Sequence, residues 1–129
     1  MGRTGESGRW GEDIAAAHLK ARGWRVLGVR LRVDRRDELD LVAVDGETLV
    51  FIEVKTRQDE WYGRPAAAVD RDKRRVLSRA AMRYIKRLRD PRVCFRFDVI
   101  EVIGQPGDTT PDIRHIENAF PLDRRYTLP

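Results

Sequence analysis

The sequence predicts an α/β sandwich in the order α-β-β-β-α-β, and three observations carry that prediction. Apolar residues recur at helical spacing from about Ser7 to Arg22 and again, more strongly, from about Arg71 to Arg89. Between these segments, two runs rich in Val, Ile, Leu and Phe flank Asp45-Gly46, a tight-turn signal that reads as an antiparallel hairpin. A further alternating run, Val93 to about Ile103, follows the second helix.

The first helix sets Trp10, Ile14, Ala17 and Ala21 in one row with Ala15, Ala16 and Leu19 beside it, and Gly23 stops it. Glu12 falls in the row of Ala15, Ala16 and Leu19, which turns a carboxylate toward the apolar side; a first-turn acid is also favoured by the helix dipole. Trp24 to about Val33 alternates as a strand, and Arg32 to Asp37 forms a charged turn into the hairpin. After the hairpin, Gln58 to Arg64 reads as a loop whose Trp61 and Tyr62 could stack on bases or cap the core edge. Asp70 caps the second helix, with Val76, Leu77, Ala80, Ala81, Tyr84, Ile85 and Leu88 as its apolar stripe, and Asp90-Pro91 ends it. Gln105 to Pro111 is a loop, Ile113 to Glu117 a short edge strand, and the tail from Phe120 carries no clear element.

A chain of 129 residues with 41% apolar content suits a single domain over 1–129 with a core at about 8–103 and an edge strand and tail over 104–129. One cysteine, Cys94, excludes an internal disulfide framework and suits a reducing cytoplasm, with the thiol acting as packing. No run approaches the roughly 20 apolar residues of a membrane span, so a cytoplasmic protein without membrane contact is expected. The net charge of +5 is uneven: residues 71–92 hold ten basic and two acidic groups, +8 in one segment. Arg74, Arg75, Arg79 and Arg83 fall away from the apolar stripe and Lys73 sits on its edge, as expected of a phosphate-binding surface or of a solvated basic helix face. His18 and His115 are isolated in the sequence and are read as nonligands.

The hairpin carries the chemistry. A two-residue Asp45-Gly46 loop sets Asp40 opposite Phe51, whereas a four-residue loop sets it opposite Glu53. With strict period-two alternation, either register puts Glu38, Asp40, Glu53 and Lys55 on one face, within reach of a shared divalent cation. Carboxylates facing an apolar layer carry a penalty of several kcal/mol unless paired or metal-bound. Mg²⁺ takes such oxygen ligands, commonly one or two carboxylates with waters and substrate phosphates. The same alternation also fits a wet sheet face laced by cross-strand ion pairs.

Glu53-Val54-Lys55, preceded by Asp40 and a helical Glu12, resembles the site of the PD-(D/E)XK nuclease superfamily. Gly8-Arg9-Trp10-Gly11-Glu12, Leu19, Gly23, Glu38-Leu39-Asp40-Leu41-Val42-Ala43, Phe51-Ile52-Glu53-Val54-Lys55-Thr56-Arg57, Gly63, Lys73 and Arg96-Phe97-Asp98-Val99 together resemble the YraN-like family, small bacterial proteins related to archaeal Holliday-junction resolvases. The likeness spans about residues 8–103. Asp37 departs from it, since the family pattern here is Gly-Glu-Ile-Asp, and this puts the local turn geometry and substrate approach in question.

The resemblance implies a restriction-endonuclease-like core, a mixed central sheet flanked by helices. It implies a Mg²⁺- or Mn²⁺-dependent deoxyribonuclease acting on branched, recombination or repair intermediates. Asp40, Glu53 and the Val54 carbonyl would bind the metal and Glu12 would assist from the helix. Lys55 would position or activate water, with Glu38 lending support from behind. DNA contacts would fall to Arg57, Lys73, Arg74, Arg75, Arg79 and Arg83. Resolution of a junction would further require a homodimer, and a noncatalytic nucleic-acid-binding or adaptor module on the same fold is the alternative.

Overall fold

The structure, a computed structural model, describes residues 5–58, 69–89 and 93–126. Its elements run α1 (Glu6–Ala21), β1 (Arg25–Arg32), β2 (Glu38–Asp45), β3 (Thr48–Arg57), α2 (Arg71–Arg87), β4 (Cys94–Ile103) and β5 (Asp112–Phe120). The strands form one sheet in sequence order, antiparallel throughout except for the β3–β4 pair, whose connection contains α2. The mixed α/β architecture follows the expected order of elements.

β3 and β4 lie at the centre and are covered on both faces, which is why they read as nearly continuous apolar runs. On one face Leu49, Phe51, Phe97 and Val99 pack with Leu77, Ala80, Ala81 and Ile85 of α2. On the other, Val50, Ile52, Val54, Ile100 and Val102 pack with Ala15, Ala16 and Leu19 of α1. α1 ends as expected at Gly23: the Gly23 and Trp24 amides bond the Lys20 and Leu19 carbonyls, a Schellman closure. Asp70 caps α2 by accepting from the Lys73 amide at 2.8 Å.

Several expectations change. The hairpin turn is Gly46-Glu47, one residue later than Asp45-Gly46, with Asp45 paired to Thr48. Gly46 alone takes a positive φ of 62° there, so the first turn position is the one that demands glycine. β5 runs to Phe120 instead of stopping at Glu117, and the ring of Phe120 stacks on Phe97 with centroids 4.9 Å apart. The edge strand read over Ile113 to Glu117 lies within it, and polar Glu117 and Asn118 hid its extension. Leu88 falls beyond α2 in an extended conformation and is exposed, and Cys94 is exposed at the start of β4 instead of packed. Trp61, Tyr62, Gly63, Arg64 and Asp90-Pro91 lie outside the described residues.

The fit of α1 on the sheet depends on Gly11, where an added Cβ would sit 2.1 Å from the Thr56 Oγ1 atom of β3. Gly11→Ala is therefore expected to destabilise the fold by about 1–3 kcal/mol in urea denaturation. Thr56→Ala made in the same chain should restore most of the loss, because it removes the clashing atom.

Candidate active site

The site forms where β2 parts from β3. Their pairing runs from Asp45–Thr48 to Leu41–Ile52, and continuing that register sets Asp40 across from Glu53, the longer-loop alternative read from the sequence. There the Asp40 side chain takes over: its Oδ2 accepts from the Val54 backbone N–H at 2.9 Å. A carboxylate filling a ladder position forces the strands apart by the width of a side chain.

The strict face-sharing expected of Glu38, Asp40, Glu53 and Lys55 fails at this point. Leu39 and Val42 both pack on the α2 side while Leu41 packs on the α1 side, so alternation slips at Asp40. β1 slips in step. Arg30, flanked by the pairs Val29–Leu41 and Leu31–Leu39, lies across from Asp40 with φ 51°. A non-glycine residue in that region carries about 1–3 kcal/mol of strain. Here the irregularity turns the Arg30 guanidinium toward α1, where Nη1 bonds Glu12 Oε1 at 3.0 Å and Asp13 Oδ1 at 3.2 Å. The bond to Glu12 is the main influence raising the Arg30 pKa, against the opposing effect of burial.

A cleft of about 570 Å³ beside the split is lined by Glu12, Asp37, Glu38, Asp40 and Lys73, with Arg9, Arg30, Arg32 and Arg36 around it. Glu53, buried behind it, has Oε2 3.5 Å from Lys55 Nζ and 3.8 Å from Lys73 Nζ. Glu12, Asp40, Glu53, Lys55 and Lys73 are thus brought together. Glu38 is more exposed and pairs with Arg32 at 3.2 Å.

The remaining cations named from the sequence go elsewhere. Arg57 pairs with buried Glu101 beyond the site. Arg79 grips buried Asp37 through two 2.8 Å bonds, Arg83 pairs with Asp34 at 2.9 Å, and Arg75 reaches Asp72 at 3.8 Å. Arg74 donates Nε to the Val69 carbonyl and lies over the Phe120 ring. The α2 charge therefore largely answers acids and carbonyls of the protein itself. Asp37 is explained by the same contacts: it anchors the β1–β2 turn to α2, helped by a bond from Arg87 to the Val33 carbonyl.

The oxygen donors at the parting strands, the Asp40 and Glu53 carboxylates and the Val54 carbonyl, suit a hard cation such as Mg²⁺, which keeps several waters. Among the described residues no group of three or more His, Cys, Asp and Glu side chains gathers as a metal cage. A two-carboxylate site is what this donor set could supply, with Glu12 held aside by Arg30.

A second polar cluster, which sequence reading missed, sits under α1. Asp98, fully buried, accepts from Arg96 Nε at 2.9 Å, from the Asn118 amide at 2.9 Å and from His115 Nε2 at 2.8 Å. Arg22 donates to His115 Nδ1 at 2.8 Å, which fixes the imidazole as the Nε2–H tautomer. Arg22 and Arg96 lie over Trp24 at 5.0 and 5.3 Å. The Arg96-Phe97-Asp98 string was the one signal available; the distant His115 partner had none.

An α/β protein with an acid- and lysine-bearing cleft at a split in a mixed sheet is the class these features define. Residues 11–102 match the model of the uncharacterised protein family UPF0102, and the chain belongs to that family, the YraN family. It is 47% identical over 120 residues to a UPF0102 protein of Symbiobacterium thermophilum, covering 92% of this chain and 96% of that one. It is 44% identical over 117 residues to one of Chlorobaculum tepidum, covering 88% and 90%. No helix among the described residues is long and apolar enough to cross a membrane.

Two outcomes follow. Removing Arg79 leaves Asp37 buried without its fork, so Arg79→Ala should lose about 3 kcal/mol, and Arg79→Ala with Asp37→Ala should lose less than the two single variants added together. Burial is the largest influence on Asp98 and acts to raise its pKa, but the bonds from His115, Arg96 and the Asn118 amide hold it below the usual 3.8. A depressed carboxylate lends stability that is complete above the unfolded pKa and is lost as pH falls through 3.8 toward the folded value. Urea midpoints measured from pH 6 to pH 3 should therefore fall less steeply in Asp98→Asn than in the unmodified chain.

Proposed function

We propose that the protein hydrolyses DNA phosphodiester bonds in a divalent-metal-dependent reaction, with branched or repair intermediates as the substrate class. The observation that carries this reading is the buried Glu53 carboxylate with two ammonium groups within 4 Å, beside Asp40 at the parting of β2 and β3. The resemblance of Glu12, Asp40 and Glu53-Val54-Lys55 to the PD-(D/E)XK pattern supports it further.

Mg²⁺ or Mn²⁺ would be held by Asp40, Glu53 and the Val54 carbonyl, and would supply polarisation of a phosphoryl oxygen and a bound water of lowered pKa. Asp40 is oriented for this by the Val54 amide, whose N–H its Oδ2 accepts, and the residue lines the cleft. Lys55 holds a positive charge beside Glu53, where it can position the attacking water and offset charge growing on the phosphate. Lys73, lining the cleft, offers a second cationic contact to the same or the neighbouring phosphate. Arg9, Arg32 and Arg36 at the cleft are the groups to receive the flanking backbone, ahead of the α2 arginines.

One observation favours a second reading, a noncatalytic nucleic-acid-binding module. Glu12 is already salt-bridged to Arg30 at 3.0 Å, so the helical carboxylate is engaged by the protein itself. That module would bind DNA in a salt-sensitive way without turnover.

Incubation with branched, duplex and single-stranded DNA in Mg²⁺ or Mn²⁺ separates the two. Cleavage abolished by chelation and reduced about 10²–10³-fold or more in Asp40→Ala and Lys55→Ala is the expected result. Binding without cleavage of any of the three substrates would leave the second reading standing, and cleavage persisting in both variants would deny these residues their role.

A further inference from the structure

A second basic site lies on the opposite side of the first turn of α2. After β5 the chain folds back on that helix: the Asp123 amide donates to Ser78 Oγ at 2.9 Å, and the Tyr126 amide bonds the Asp123 carbonyl. Phe120, stacked on Phe97 and covered by the Arg74 guanidinium 5.4 Å from its centroid, roots the segment in the core. Two adjoining hollows result. One, of about 270 Å³, is lined by Arg71, Arg74 and Arg124. The other, of about 280 Å³, is lined by Arg71, Arg124 and Arg125.

Among the described residues, four guanidinium groups therefore surround one notch, and Asp123 is the single acid lining it. That carboxylate is engaged locally, since its Oδ1 accepts from the Arg125 amide at 2.9 Å. The nearby acids of α2 are engaged as well: Asp70 caps the helix and Asp72 pairs with Arg75. Arg71, Arg124 and Arg125 are exposed, in contrast to Arg79, whose guanidinium is tied to Asp37. Like charges gathered in this way repel, and a polyanion relieves the repulsion. Planar guanidinium forks match phosphodiester oxygens in particular.

Lys73 joins the notch to the cleft. It stands on the same helical turn as Arg71 and Arg74, about 3 Å along the axis from Arg71 at 1.5 Å per residue, yet it lines the carboxylate cleft. A backbone leaving the cleft over this turn meets the notch within a few nucleotides.

We propose that Arg71, Arg124 and Arg125, set beside the tethered Arg74, form a second phosphodiester-binding site, which holds the flank of a DNA molecule whose reacting segment lies in the carboxylate cleft. This rests on the nucleic-acid reading above. The contact is with backbone and carries no base preference.

Fluorescence anisotropy on a 40-base-pair duplex in EDTA, over a series of salt concentrations, tests it with the full chain. Three proteins are compared: the unmodified chain, Arg71→Ala/Arg124→Ala/Arg125→Ala, and the cleft variant Arg32→Ala/Arg36→Ala. The notch variant should bind about 10–100-fold more weakly at 150 mM salt, and its log–log salt slope should be shallower by about two to three. Lysine at the same three positions should recover most of the affinity, and unchanged thermal melting shows that the fold is intact. A notch variant with the slope and affinity of the unmodified chain, while the cleft variant is weakened, overturns the second site and leaves the cleft reading in place. Failure of the unmodified chain to bind DNA removes both.

Discussion

The carboxylate of Asp40 in the position of a ladder partner is the constraint on which the rest of this structure turns. β3 is held along its whole length by β4, from Thr48–Cys94 to Arg57–Ile103, so it cannot follow β2 when the two part. β2 therefore leaves after Leu41, taking β1 with it, and the Val54 amide that loses a backbone acceptor finds Asp40 Oδ2 instead. An amide buried without a partner would cost about 1–3 kcal/mol, so the side-chain bond makes the split tolerable. The same event flips the facing of Leu39 and Leu31, places Arg30 in a left-handed conformation and opens the polar cleft between the two helical layers.

A split sheet needs its free arm held, and α2 does this through charge. Val33 to Asp37 is closed on itself by a backbone bond from the Val33 amide to the Asp37 carbonyl and by Asp34 Oδ1 accepting from the Arg36 and Asp37 amides. Arg79, Arg83 and Arg87 then reach across from α2 to Asp37, Asp34 and the Val33 carbonyl. The turn that precedes Glu38 and Asp40 is thereby fixed to the helix that supplies Lys73. The acid at position 37 is an anchor. Its carboxylate lines the cleft but is tied to the fork of Arg79, which balances its charge.

The fold was legible because its signals are local. Helical periodicity, a cap at Asp70 and a turn glycine each lie within a few residues of what they specify, and both helices and all five strands follow from such local signals, the fifth in shortened form. The hairpin register was legible only as a pair of alternatives, since the turn can centre on either side of Gly46 without violating any local rule. Asp40, Glu53, Lys55 and Glu12 could be grouped from parity and helical row, yet the reason they meet differs from parity. Alternation breaks at Asp40, and only a contact 14 residues away, to the Val54 amide, shows why. The α2 arginines carry a related ambiguity. A run of basic residues looks the same in sequence whether its partners are phosphates or Asp34 and Asp37, because those partners lie some 40 residues upstream. His115 carried no signal at all until β5 set it beside Asp98.

Buried charge appears on both sides of this sheet, and the way each is compensated separates structure from chemistry. Under α1, Asp98 is met by a backbone amide, an imidazole of fixed tautomer and the fork of Arg96, itself flattened against Trp24. Those side-chain donors are largely buried, with Arg96 and His115 at 18% and 8% exposure. At the cleft, Glu53 is answered instead by Lys55 and Lys73, whose side chains keep 23% and 35% exposure. An ammonium on a flexible stem can turn from a carboxylate to an arriving phosphate with little rearrangement, whereas a stacked, bidentate guanidinium cannot. The acid held by movable cations is the one suited to exchanging partners. The acid held by a backbone amide, an imidazole and a bidentate guanidinium is suited to keeping β4 and β5 in place.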